Sequence, residues 1–173
     1  MALTDGVVRL SRWDPANGDV AEALDWYGDP DVLYYSEGAD ASPFSIERVR
    51  NMYRILHDTG ELYLIEVQEN GQWKRIGDVT LAAHTLPIVI GDAAWRSRGV
   101  GSRVLRLLIG RARELGWESL TAKSIWDDNL KSRRLFESVG FRLVESAVDA
   151  TGRPYGRYVL TLGLSSEHQS GRD

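Results

Sequence analysis

Along this chain the spacing of apolar residues switches between alternation and helical repeat, and each switch marks an element. Val7 to Ser11 reads as a first strand, Asp14-Pro15 opens a turn, and Val20 to Tyr27 is helical in pattern. Residues 28–44 carry Gly, Pro, Asp and Ser among several aromatics and read as a loop. Ile46, Val49, Met52, Tyr53 and Leu56 share a helical face, with Ser45 as cap and Thr59-Gly60 as the end. Leu62, Leu64, Ile65 and Val67 predict a strand over 61–69. Asn70-Gly71 is a hairpin turn, residues 73–81 the returning strand and residues 86–90 a third.

Val100, Val104, Leu107, Leu108, Ala112 and Leu115 then recur at helical spacing, and Gly116 stands where a helix stops. Residues 120–125 predict a short strand, Asp128 or Asn129 the cap of a helix ending at Gly140, and 141–148 another strand. Residues 149–152 make a turn before a last strand over 155–164. No repeat or low-complexity linker interrupts the series, so one mixed α/β domain is expected over 1–164, with a flexible polar tail at 165–173. Its centre runs strand, Gly-rich turn, helix, strand, helix, strand. The first two strands of that unit should run parallel through a right-handed crossover, with a ligand at their carboxyl ends beside the helix N-terminus.

Composition narrows the function classes. A formal net charge of −4 argues against a nucleic-acid partner. No apolar run is long enough to span a bilayer and the first residues lack signal-peptide character, so a cytoplasmic location is expected, without a membrane partner. The absence of cysteine excludes thiolate metal sites and an acyl-cysteine intermediate. His57, His84 and His168 have no ligand spacing, and no metal site is expected.

The stretch Arg96-Ser97-Arg98-Gly99-Val100-Gly101, followed by Ser102, lies between a strand and a helix. Glycine lets backbone approach a ligand, and a helix start offers unpaired N–H groups at the positive end of its dipole. This is a site for phosphate. A nucleotide P-loop would need Lys-Ser or Lys-Thr after the last glycine, where Ser102-Arg103 stands instead. A dinucleotide loop would need a third glycine, which Gly99-Val100-Gly101-Ser102-Arg103-Val104 lacks.

The remaining pattern, Arg-x-x-Gly-x-Gly at a strand-to-helix turn, resembles the pyrophosphate loop of the GNAT superfamily of acetyl-CoA-dependent N-acetyltransferases. A second motif agrees: Asn129-Leu130-Lys131-Ser132-Arg133-Arg134-Leu135-Phe136-Glu137-Ser138-Val139-Gly140-Phe141 is similar to that family's Asn-x-x-Ser/Ala-x-x-Leu-Tyr/Phe-x-x-x-Gly-Phe. The likeness covers roughly 79–162 and is greatest to the subgroup of ribosomal-protein alanine and aminoglycoside acetyltransferases.

The resemblance implies an α/β (α+β) fold: a mixed, mostly antiparallel sheet of about six to seven strands, with a splayed parallel pair at 86–90 and 120–125, flanked by about four helices. It implies acetyl-CoA as cofactor, with pyrophosphate on Arg96, Ser97, Arg98, Gly99, Val100, Gly101 and Ser102. Pantetheine would run along Val89, Ile90 and Gly91, where Gly91-Asp92 is expected to form a bulge that opens the sheet. Asn129 and Ser132 would contact the cofactor, and Ser132 would also protonate the leaving thiolate, because Phe136 stands where many members have tyrosine. Tyr155 and Tyr158 are weaker candidates. The proton acceptor is sought among Asp92, Glu37, Asp78 and Glu66. Trp26, Tyr27, Tyr34, Tyr35 and Phe44 are either core or an acceptor pocket, and Asp29, Asp31, Glu37 and Asp40 would favour a cationic amine. The expected acceptor is a small-molecule amine or a protein N-terminus, taken directly through a ternary complex. The alternative is a CoA-binding module without catalysis. Exposed strand edges suggest a homodimer.

Overall fold

The computed structural model describes residues 2–163, and its secondary structure follows the alternation and helical spacing of the sequence closely. Strands β1 (Leu3–Thr4) and β2 (Val8–Arg12) precede helices α1 (Ala21–Trp26), α2 (Pro30–Ser36) and α3 (Ile46–Thr59). Strands β3 (Glu61–Glu69), β4 (Gln72–Leu81) and β5 (Ile88–Ile90) follow, then a 3-10 turn (Ala93–Trp95) and helix α4 (Val100–Glu114). Strand β6 (Ser119–Trp126), helix α5 (Leu130–Ser138) and strands β7 (Arg142–Val148) and β8 (Pro154–Thr161) complete the described residues. Leu164 and the tail at 165–173 lie outside them.

Two elements escape the apolar pattern. Helix α2 falls in the expected loop. Its signal is polar: Asp29 Oδ1 accepts from the N–H groups of Asp31 (2.8 Å) and Val32 (3.4 Å), and Pro30 takes the first turn, where no N–H is needed. Strand β1 is made by Asp5-Gly6, a tight turn with Gly6 at φ 88° and Asp5 Oδ1 accepting from Val7 and Val8. With these, the described residues hold eight strands and five α-helices rather than the expected six to seven and four. The Asn70-Gly71 turn adopts φ 52° and 78°, the doubly left-handed turn that suits a two-residue hairpin.

The strands form two sheets, both antiparallel: β1-β2-β3-β4-β5 and β6-β8-β7. No ladder joins β5 to β6 among the described residues; each is the edge of its own sheet. The expected pair is therefore parted completely. Strand β3 is buried from Leu62 to Val67 because both faces are covered. Alternation sends Leu62 and Leu64 against Trp26, Val49 and Tyr53 of the first helices, and Tyr63, Ile65 and Val67 against Val104, Leu105 and Leu108 of α4. Each fully buried Leu or Ile contributes about 1.5–3 kcal/mol. Helix α4 bridges the sheets: its core also takes in Leu120, Ala122 and Ile125 of β6, with Ile88 and Ile90 packed at its margin. No helix among the described residues is long and apolar enough to cross a membrane.

Candidate cofactor and acceptor site

Strand β5 has one open edge, and its ladder phase says which groups face it. Thr80 N–H donates to Pro87 C=O at 3.0 Å, and the register pairs Asp78 with Val89 and Gly77 with Ile90. Bonded pairs alternate in an antiparallel ladder, so Val89 turns its backbone groups to β4, while Ile88 and Ile90 turn theirs outward. Of the expected contacts Val89, Ile90 and Gly91, only Ile90 has outward backbone groups within the strand. Ile88, which residue type does not mark, joins it.

The ladder slips by one residue at Gly91-Asp92, as the expected bulge would make it. The β4–β5 register is regular to Ile90, and beyond it Asp92 N–H, in place of Gly91 N–H, donates to Ile76 C=O at 2.9 Å. Gly91 also serves packing: a Cβ there would fall 2.0 Å from Trp26 Cγ. Asp92 caps the 3-10 turn through the Ala94 N–H (3.0 Å) and pairs with Lys74 Nζ at 3.0 Å. Partial burial disfavours its charge, but Lys74 and the Ala94 N–H outweigh that and hold the carboxyl below its usual range.

The Arg96 guanidinium folds back onto the strand end. Its Nε donates to Ile90 C=O (2.8 Å) and its Nη2 to Gly91 C=O (2.8 Å) and Asp29 Oδ2 (3.0 Å). Ser97 follows with left-handed backbone at φ 58° and Gly99 at φ 80°; a Cβ on Gly99 would meet nothing within 4 Å. Gly99 is thus required by conformation and leaves open space above it. A Cβ on Gly101 would lie 2.8 Å from Leu135 Cδ2 on α5, so that side-chain end would have to move to admit one. Val100 points into the core, leaving only its backbone to a ligand.

No side chain caps α4, and no acidic residue occupies its first turn. A groove of about 550 Å³ opens there, lined by Asp5, Arg98, Gly99, Ser102, Arg103, Arg106 and Leu107. Arg103 is paired to Asp5 at 2.7 Å, and Arg98 lies over the Trp95 ring at 4.8 Å. Arg103 and Arg106 were missed in the sequence, although they follow Gly99 at helical spacing and so share its face.

At the start of α5, Asn129 Oδ1 accepts the Ser132 N–H at 3.1 Å. The Ser132 hydroxyl takes no hydrogen bond among the described residues. Phe136 is 2% exposed and packs edge-on to Phe141 at 5.0 Å, as core. Tyr158 is buried, and its hydroxyl accepts from Arg133 Nε at 3.2 Å.

Glu37 ends α2 and pairs with Arg48 at 3.0 Å, beside a groove of about 310 Å³ that includes Phe44 and Met52. Asp78 is 2% exposed on β4, beside Val89, where the hydroxyls of Tyr53 (2.8 Å) and Tyr27 (3.2 Å) donate to it. Burial pushes its carboxyl up to about 6, against the opposing pull of those two hydrogen bonds. Glu66 is buried and paired with Arg9 and Arg75. Trp26, Tyr27 and Phe44 are core, whereas Tyr34 and Tyr35 are exposed. Of the carboxylates expected to draw a cationic amine, Asp29 and Glu37 are each matched by an arginine. Among the described residues no group of three His, Cys, Asp or Glu could hold a metal ion.

Comparison with known proteins agrees with this arrangement. Residues 8–142 match the family model described as "Acetyltransferase (GNAT) domain". The fold superposes on a domain from Methanocaldococcus jannaschii DSM 2661 with a TM-score of 0.76, at 18% identity, covering 90% of this chain and 98% of that one. It also superposes on a Salmonella typhimurium acetyl transferase that modifies the N-terminal serine of a 50S ribosomal subunit protein (TM-score 0.76, 15% identity, 94% and 100% covered). An aminoglycoside acetyltransferase, AAC(6')-Ib, in complex with coenzyme A is similar at a TM-score of 0.72 and 16% identity, with 89% and 94% covered. No curated protein sequence matches the chain significantly. The chain belongs to the GNAT family of acetyl-CoA-dependent N-acetyltransferases.

Proposed function

We propose that this chain moves the acetyl group of acetyl-CoA directly to a primary amine within a ternary complex. The observation that carries the reading is the meeting of two surfaces that offer backbone N–H groups: the outer edge of β5, where Arg96 takes the Ile90 carbonyl but not its N–H, and the uncapped start of α4. The first suits an extended amide-bearing arm, which would pair with Ile88 and Ile90 as an added strand. The second suits phosphate, with N–H groups over Gly99 to Ser102 and cations from Arg98, Arg103 and Arg106. Arg96 acts on the protein side, fixing the Ile90 and Gly91 carbonyls so that the strand end holds its shape.

Acetyl-CoA supplies an activated acyl group; the chain supplies position and polarity. The Ile90 N–H is aimed outward to polarise the thioester carbonyl, a role that contributes about 3 kcal/mol where such donors are fixed in advance. Holding the two reactants together contributes at least as much. Asn129 holds the α5 start, leaving the Ser132 hydroxyl free to give a proton to the departing thiolate. The incoming ammonium must lose a proton first. Glu37 and Asp92 accept it through water, since each already serves an arginine or a lysine. Asp78 has a suitable basicity but is sealed against the first helices by Tyr27 and Tyr53.

A second reading, a CoA-binding module without catalysis, draws on Phe136, which has no proton to give and is buried against Phe141. Thiol release from acetyl-CoA, followed with a panel of amines alongside calorimetric CoA titration, separates the two. Release that depends on amine is expected. CoA binding with no release for any amine would establish the module, and tight NAD binding without CoA binding would overturn both.

A further inference from the structure

The groove at the start of α4 has one carboxylate in its wall. Its other charged groups, Arg98, Arg103 and Arg106, are cations; Asp5 is the exception. Asp5 is fixed by its own turn, between β1 and β2. Its Oδ1 accepts from the N–H groups of Val7 (2.9 Å) and Val8 (2.8 Å), and its backbone N–H donates to Val8 C=O at 3.2 Å. Its Oδ2 faces α4 and accepts from Arg103 Nη1 at 2.7 Å. Partial burial disfavours the charge, but the Val8 and Val7 N–H groups and Arg103 outweigh that and hold the carboxyl below its usual range. Arg103 is the looser of the two, the more exposed side chain on the first turn of a helix. Of the three arginines, it alone meets a carboxylate among the described residues.

We propose that Asp5 is a built-in competitor for the phosphates of CoA: it holds Arg103 before the cofactor enters, yields it to a phosphate, and takes it back as CoA leaves. This rests on the acetyltransferase reading above and adds a release step to it. Carboxylate and phosphate draw a guanidinium through the same charge-assisted bonds. Asp5 cannot swing away with its partner, because the turn keeps Oδ1 wherever Arg103 points. An entering phosphate therefore takes Arg103 from a rival and then faces a fixed negative charge. Binding is weaker than three arginines alone would make it. It is not abolished, because the N–H groups at the uncapped start of α4 still hold phosphate. A transferase must discharge one CoA in every turnover, and product release limits the rate of many enzymes. A rival anion in the groove wall shortens that step without moving any loop.

Asp5→Asn tests this, since its amide oxygen keeps the Val7 and Val8 bonds while the charge is lost. Asp5→Ser, which also leaves the turn an acceptor, serves if the first does not fold. In about 20 mM salt the variant should bind CoA at least threefold tighter by calorimetry and release it at least threefold more slowly in stopped flow. In about 500 mM salt, where exposed charges are screened, the difference should vanish. Pantetheine, which carries no phosphate, should bind both proteins equally. In an Arg103→Ala background the tightening should shrink at least twofold, because no side chain is left to compete for. Unchanged or weaker CoA binding in the variant, pantetheine tightening in step with CoA, or equal tightening in both backgrounds would each overturn the proposal. These affinities are read without turnover, so a chain that binds CoA and transfers nothing fails the transferase reading and still tests Asp5. If CoA does not bind, inorganic pyrophosphate probes the groove directly. Tighter pyrophosphate binding in Asp5→Asn would support the competitor while the transferase reading falls; equal binding, or none to either protein, would overturn it.

Discussion

Leu135 fills the space that a side chain on Gly101 would need, with its Cδ2 2.8 Å from the position of the missing Cβ. The second glycine of the loop is thus the point where α4 and α5 touch. Gly101→Ala should gain up to about 1 kcal/mol of helix propensity and lose about 1–3 kcal/mol to overpacking. Because the obstructing atom is the mobile end of a side chain, the loss should fall at the low end and nearly cancel the gain, leaving a net change within about 1 kcal/mol by urea denaturation. In a Leu135→Ala background the same change should stabilise, because only the propensity gain survives. Equal effects in both backgrounds would show that the contact does not matter.

Arg96 holds two carbonyls and one carboxylate with a planar fork, a geometry that an ammonium cannot reproduce. Arg96→Lys should therefore behave nearly as Arg96→Ala does. Both should lower stability by about 2 kcal/mol, the scale of charge-assisted bonds at a partly exposed site. Both should also weaken CoA binding by disordering Ile90. Full retention of CoA affinity in the lysine variant would contradict this role.

Asp78 gives stability a pH dependence of a defined sign. Burial raises its folded carboxyl to about 6 from 3.8, so the folded chain holds this proton more tightly than the unfolded one. The contribution is complete below about pH 4 and is lost as pH rises through 6, by about 3 kcal/mol once ionised. Asp78→Asn keeps an acceptor for both tyrosines and has no proton to lose. Unfolding free energies should place the variant level with the wild type near pH 4 and above it at pH 8. Parallel pH profiles for the two proteins would refute the assignment.

Ser132→Ala should lower kcat about tenfold and leave CoA affinity within twofold, because the Asn129 cap uses the Ser132 backbone and not its hydroxyl. Unchanged kcat would leave water as the proton source.

Much of this was legible in the sequence because it depends on local rules. Asn70-Gly71, the Ser45 cap, the apolar face of α4 and the Arg96–Gly101 loop are each encoded within a few residues. What was not legible depends on partners far along the chain. Helix α2 escaped because its start signal, Asp29-Pro30, lay in a stretch whose Gly and Ser content reads as loop. Ile88 escaped because ladder phase is fixed by Thr80 and Pro87, across the sheet. Arg153 is unremarkable in sequence; its partners are Tyr34, more than a hundred residues away, and Trp126. Arg96 reads in sequence as a phosphate ligand; that its guanidinium also holds the end of its own strand is a contact only the fold can make.

The parting between β5 and β6 has a thermodynamic consequence. A sheet left in two pieces is completed by whatever lies along the open edge, so the ligand becomes a structural member of the folded state. At a free concentration one hundredfold above its Kd, such a ligand adds about 2.7 kcal/mol to the unfolding free energy. The melting temperature, and with it the lifetime of the chain against proteolysis, should then rise and fall with the supply of CoA around it.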